Sequence, residues 1–159
     1  MKVDRRHFRS IWVESDSVSV RAIDQRRLPH EFVIADIADC DAAADAIRTM
    51  LVRGAPLIGA TAAYGVALAM RADSSDAALA RAYDTLIVTR PTAINLKWAL
   101  EVMRAALSPL PTSERAAAAF ARAGEIAEQD IEINHSIGAH GLAVIEKIRA
   151  EKKDRKSVV

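Results

Sequence analysis

The sequence predicts an α+β domain: a small antiparallel β meander followed by a bundle of about five helices. Two observations predict it. The first 40 or so residues carry short β-favouring runs parted by polar turns. From Asp41 onward the chain turns alanine-rich and its apolar residues recur at helical spacing. The domain is therefore read as 1–150, with 1–40 as the β meander and 41–150 as helical, and 151–159 as a charged tail.

The β runs are Ile11-Trp12-Val13, Val18-Ser19-Val20 and Phe32-Val33-Ile34, the last following a polar stretch that ends at Pro29. Asp39 or Asp41 is placed to cap the first helix, on which Ile47, Met50 and Leu51 form one stripe. Pro56 suits the first turn of a second helix, where its missing N–H costs nothing. The Gly and Ala positions of that helix let neighbouring backbones approach closely, so it is expected to be buried. Ser75 caps a third helix carrying Leu79, Tyr83 and Leu86. Leu96, Ala99, Leu100, Met103 and Leu107 mark a fourth that stops before Pro109. Thr112 or Ser113 opens the fifth, whose pattern continues to Ile148 with Gly138 and Gly141 as places for a bend.

Composition narrows the function classes. The 159 residues are 51% hydrophobic and 27% charged, which is enough for a folded domain with its own core. The 22 basic and 21 acidic residues nearly cancel, so no global field draws the protein to nucleic acid or to an anionic membrane. Cys40 is the single cysteine, which excludes an internal disulfide framework and a CxxC motif. Residues 1–10 lack the apolar core of a signal peptide, and the longest apolar run, around 55–70, is interrupted by Gly59, Thr61 and Gly65. A soluble, cytoplasmic protein is the expectation.

Any anion site must then be local, and two places offer one. Arg53-Gly54-Ala55-Pro56 and Arg90-Pro91-Thr92 each set an arginine at a break between helical patterns. A helix N-terminus presents unpaired N–H groups and a positive dipole end, and Gly54 has no Cβ to keep a ligand oxygen from the main chain. An arginine beside such a turn adds a charged fork suited to phosphate. Each residue also has a plainer reading: Arg53 complementing the negative end of the preceding helix, Arg90 solvated in a loop, and Gly54 as the left-handed residue that closes a helix.

Four segments carry a likeness to a known family: Asp24-Gln25-Arg26-Arg27-Leu28-Pro29; Ala46 through Pro56 with Ile58-Gly59 and Ala63-Tyr64-Gly65; Arg90 through Leu96 with Trp98-Ala99; and Asp130-Ile131-Glu132-Ile133-Asn134. On these, the chain resembles the amino-terminal part of the methylthioribose-1-phosphate isomerases, relatives of the regulatory subunits of translation initiation factor 2B. The resemblance implies an aldose-to-ketose isomerisation of a sugar phosphate in methionine salvage, with no cofactor and no metal, and a homo-oligomer at full length. It implies that Arg53, Gly54, Ala55 and Arg90 contact the substrate.

It also implies a second, Rossmann-like domain bearing a catalytic cysteine and a catalytic aspartate, and neither motif is present in this sequence. Cys40 lies upstream of Arg53 in Asp39-Cys40-Asp41 and takes no catalytic role, so no catalytic residue is assigned. The expectation is a first domain that binds substrate and does not turn it over alone. Two other readings stay open: a non-catalytic regulatory or interaction domain of the initiation factor 2B-like group, and a fragment of a ribose-1,5-bisphosphate isomerase. His135 and His140 are not spaced to share a helix face, which argues against a metal site, and Tyr64 and Trp98 suit core or inter-domain packing. Asp130, Glu132 and Asn134 are read as a solvated face or a contact to the further domain.

Overall fold

The structure is a computed structural model and describes residues 2–3, 5–14 and 19–151. A short hairpin of β1 (Lys2–Val3) and β2 (Arg6–His7) comes first, a feature the sequence pattern does not announce. The meander comes next as β3 (Ile11–Val13), β4 (Val20–Ile23) and β5 (Ile34–Ile37), antiparallel and in that spatial order. Val20, Ala22 and Ile37 point into the core, while Arg21 on the other face pairs with Asp36 at 2.8 Å and Glu14 at 3.0 Å.

The second and third strands lie later in the chain than the β-favouring runs suggest. Val18 lies outside the described residues, and pairing Ile23 with Ile34 and Val20 with Ile37 moves the third strand beyond Phe32 and Val33. The displaced residues have other work: Phe32 packs on Phe8 with ring centroids 4.9 Å apart, and the Val33 carbonyl accepts the Asp24 N–H at 2.9 Å. Cross-strand partners, not local propensity, set this register.

Five helices stand among the described residues: α1 (Cys40–Arg48), α2 (Ala55–Ala72), α3 (Asp76–Ile87), α4 (Ile94–Leu107) and α5 (Thr112–Glu151). The Asp39 carboxylate caps α1 by accepting the Ala42 N–H at 2.7 Å, and the Ser75 hydroxyl caps α3 by accepting the Ala78 N–H at 3.1 Å. Helix α1 is shorter than its stripe implies. It ends at Arg48, so Met50 and Leu51 lie beyond it, with Met50 left-handed at φ 61° and exposed. The turn brings Val52 fully inside, its N–H donating to the Ala46 carbonyl at 3.2 Å, so burial of Val52 outweighs continuation of the helix.

Helix α2 is the centre of the first unit. By length and composition it could cross a membrane, with mean hydropathy 1.2, but 67% of it is buried inside the protein. Two glycines allow that depth. A Cβ at Gly65 would stand 2.9 Å from the Ala43 Cβ of α1, and one at Gly59 would stand 3.0 Å from the Asn95 carbonyl oxygen of α4.

Arg115, in the first turns of α5, is buried and satisfied by main-chain oxygens. Its guanidinium donates to the carbonyls of Leu110 at 3.0 Å, Ser74 at 3.1 Å and Ser108 at 3.3 Å, and pairs with Asp76 at 2.7 Å. Ser74 lies just past the end of α2 and Ser108 caps the end of α4, so one cation gathers the negative ends of two helices.

The chain divides into two compact units, Met1–Ala127 and Glu128–Val159. In the second, Ile133, Ile137, Leu142, Val144 and Ile145 are exposed, and the Asn134 amide donates to the Asp130 carbonyl at 2.8 Å. The charged tail, 152–159, lies outside the described residues.

Substituting Arg115→Met keeps the bulk but leaves buried carbonyls without donors, and is expected to cost about 3 kcal/mol of stability. The midpoint of urea unfolding at unchanged m-value measures it.

Candidate functional site

The relation between α2 and α4 decides where the two arginine loops stand. The opening turns of these helices meet where Gly59 backs onto Asn95, and their closing ends converge on Arg115. The two helices therefore run side by side in the same direction. Arg53, just before α2, and Arg90, in the turn leading to α4, lie at the same end of the pair, where both positive dipole ends emerge.

This end is built differently from the other helix starts. Asp41 and Asp76 sit in the first turns of α1 and α3, beside their side-chain caps. Helices α2 and α4 begin at Gly54 and Ala93 with no side-chain cap and no acidic residue in the first turn. Neither helix start therefore supplies its first N–H groups with a side-chain acceptor of its own. An anion is the natural partner for two such ends placed together.

The arginines differ in what holds them. Arg53 is exposed, its backbone N–H donating to Gln25 Oε1 at 3.1 Å. Arg90 is half-buried and its carbonyl accepts the Ala93 N–H at 2.9 Å, closing the turn into α4. Among the described residues no hydrogen bond or ion pair engages either guanidinium. Both are therefore free to meet a ligand without first breaking an internal pair. Gly54 has φ 96° and ψ 132°, a backbone region open to glycine, and it starts α2; the left-handed residue that closes α1 is Met50 instead. Ala55 and Pro56, both exposed, complete the first turn.

Three residues that took no role from the sequence support this loop. Asp24 is buried at 4% exposure, and Arg26 chelates its carboxylate through Nε at 2.9 Å and Nη2 at 2.8 Å. That fork holds the Asp24 carboxyl below the ordinary carboxylate range, against the opposing effect of burial. Arg26 also reaches the Thr49 hydroxyl at 3.3 Å, and Gln25 between them donates its N–H to the Leu51 carbonyl at 2.9 Å. Their signal in the sequence is the Asp-Gln-Arg-Arg-Leu-Pro segment itself, which the resemblance included without a role.

The remaining candidates are quiet. Cys40 is half-buried, and burial, aided by Asp41 and Asp39, pushes its thiol up to about 11, so it carries almost no thiolate at neutral pH. Tyr64 is buried as expected; Trp98 is not a core residue, standing 45% exposed on α4 because Leu96, Ala99 and Leu100 take the inward face. Among the described residues no group of three His, Cys, Asp or Glu side chains is arranged to hold a metal ion.

Residues 51–158 match the initiation factor 2 subunit family. A methylthioribose-1-phosphate isomerase of Brucella anthropi is 58% identical over 153 residues, covering 96% of this chain and 42% of that protein. The crystal structure of 5-methylthioribose 1-phosphate isomerase from Pyrococcus horikoshii superposes with a TM-score of 0.78 at 35% identity, over 86% of this chain and 40% of that one. Subunit delta of translation initiation factor eIF-2B from A. fulgidus gives 0.71 at 35% identity, over 79% and 38%. The chain thus spans about two fifths of the length of each of these, 42%, 40% and 38% respectively.

Two outcomes are expected here. Gly54→Ala meets no neighbour within 4 Å yet is held at φ 96°, so it is expected to lose about 1–3 kcal/mol through backbone strain alone, read from the denaturation midpoint. Asp24→Asn is expected to cost about 2 kcal/mol at neutral pH. Because the folded Asp24 carboxyl sits below its unfolded value of about 3.9, that contribution is present above this value and fades as pH falls through the lowered one. The stability gap between parent and variant should therefore hold steady from pH 7 down to about pH 4 and narrow only as the pH is lowered further.

Proposed function

The chain belongs to the initiation factor 2 subunit family, and we propose that it is the sugar-phosphate-binding part of a methylthioribose-1-phosphate isomerase. The observation that carries this reading is the juxtaposition of two bare helix starts with two uncommitted arginines. The guanidinium groups of Arg53 and Arg90 and the N–H groups of Gly54 and Ala55 would hold the phosphate, with the dipoles of α2 and α4 adding to the attraction. The names of its relatives supply the sugar, methylthioribose 1-phosphate.

Aldose–ketose isomerisation moves a proton between adjacent carbons and needs a base and an acid within reach of both. Burial holds the Cys40 thiol protonated at neutral pH, so it offers no ready base, and the residues around Arg53 contribute charge and N–H donors instead. The chain thus binds and orients the substrate by its phosphate, while proton transfer belongs to groups outside these residues. In this reading the protein has no isomerase turnover alone, needs no cofactor, and works in the cytoplasm.

Calorimetric titration of the chain with methylthioribose 1-phosphate and with inorganic phosphate tests the reading. Arg53→Ala and Arg90→Ala are each expected to weaken binding about tenfold to a hundredfold, the worth of a charge-assisted hydrogen bond. Thermal stability should hardly move, since neither guanidinium has an internal partner. Absence of binding by the parent chain would favour a regulatory or scaffold domain.

A further inference from the structure

We infer that Gln25 is a positioning residue for the anion site, an inference that rests on the phosphate-binding reading of Arg53 and Gly54. The loop between α1 and α2 holds two positive-φ residues, Met50 at 61° and Gly54 at 96°, within five positions of chain. A segment with that much left-handed backbone does not hold itself; neighbouring structure must over-determine it. Gln25 reaches it from the meander side at two points. Its backbone N–H donates to the Leu51 carbonyl at 2.9 Å, and its side-chain oxygen accepts the Arg53 N–H at 3.1 Å.

These two bonds bracket Val52, whose side chain is fully buried, so the loop is pinned from inside by the core and from the flank by Gln25. Gln25 is itself fixed by its neighbours in the turn after β4. The Asp24 N–H donates to the Val33 carbonyl at 2.9 Å, and the Arg26 fork locks the Asp24 carboxylate. Each link is short and polar, and together they tie the start of α2 to the end of the sheet.

The consequence is functional rather than merely structural. With its N–H spent on Gln25, Arg53 has a fixed backbone from which the guanidinium extends, next to the uncapped start of α2 at Gly54. Without the amide oxygen, Arg53 samples other backbone orientations and the ligand must order it on binding, which lowers affinity. An acceptor at this position is what matters, so a carboxylate should hold Arg53 as the amide does, whereas an isosteric thioether should not.

The test compares the parent chain with Gln25→Met and Gln25→Glu. In Gln25→Met, the Arg53 amide should exchange with solvent about tenfold faster, and affinity for methylthioribose 1-phosphate should fall about threefold to tenfold, the usual worth of one neutral hydrogen bond. In Gln25→Glu the Arg53 amide should keep its protection. Unchanged ligand affinity in Gln25→Met, equal Arg53 exchange in parent and Gln25→Met, or loss of protection in a folded Gln25→Glu would each overturn the inference. Failure of the parent itself to bind is a separate result: it removes the phosphate-binding reading, and this inference with it.

Discussion

The buried guanidinium of Arg115 is the constraint on which the arrangement depends. Two parallel helices placed side by side carry like dipole ends together, which is unfavourable unless something of opposite sign occupies each end. At the closing ends of α2 and α4 that partner is internal: Arg115 accepts burial because three carbonyls and the Asp76 carboxylate satisfy it. At the opening ends no internal anion is supplied, since α2 and α4 begin without acidic residues or side-chain caps. The same pairing that the protein neutralises at one end is left open at the other.

Close packing turns this electrostatic arrangement into a geometric one. Gly59 lets the Asn95 carbonyl approach to a distance a side chain would forbid, and Gly65 does the same for α1. The missing Cβ at Gly59 lets the opening turns of α2 and α4 lie in direct backbone contact. The meander adds the remaining anchor through Asp24, Gln25 and Arg26, whose bonds run to Thr49, Leu51 and Arg53. Sheet, helix pair and loop are thus held by three different kinds of contact: hydrogen bonds, close backbone approach and a buried cation.

Range decides how much of this is legible in the sequence. The cap Ser75 and the stop of α4 ahead of Pro109 are readable, and the cap of α1 and the start of α5 are narrowed to Asp39 or Asp41 and to Thr112 or Ser113, because each depends on residues within one turn; the structure selects Asp39 and Thr112. The end of α1 is not, because the burial of Val52, a tertiary effect, outweighs a helical stripe through Met50. The strand register escapes local reading for the same reason. Arg53 and Arg90 can be named as anion candidates from local turns, but their common end cannot, because it rests on contacts between Arg115 and Ser74 and between Gly59 and Asn95. Gln25 is visible only as part of a family segment; its tie to Arg53 spans 28 positions of chain, beyond any local pattern.

The titrating groups also bear on what kind of work this chain does. Residues that move protons at neutral pH have ionisation ranges drawn toward neutrality by burial or by like charges. Here the displaced groups go the other way. Asp24 is lowered by Arg26, Asp73 by the Ser75 backbone and Glu101 by Tyr83, so these carboxylates are held more firmly ionised. Tyr83 is raised by its bond to Glu101 and Cys40 by burial, so both are held more firmly protonated. Each of these shifts fixes a charge state instead of poising a proton for transfer. Such fixed charge states suit the anion-holding role proposed for Arg53, Arg90 and the starts of α2 and α4, in which charge is presented and not exchanged.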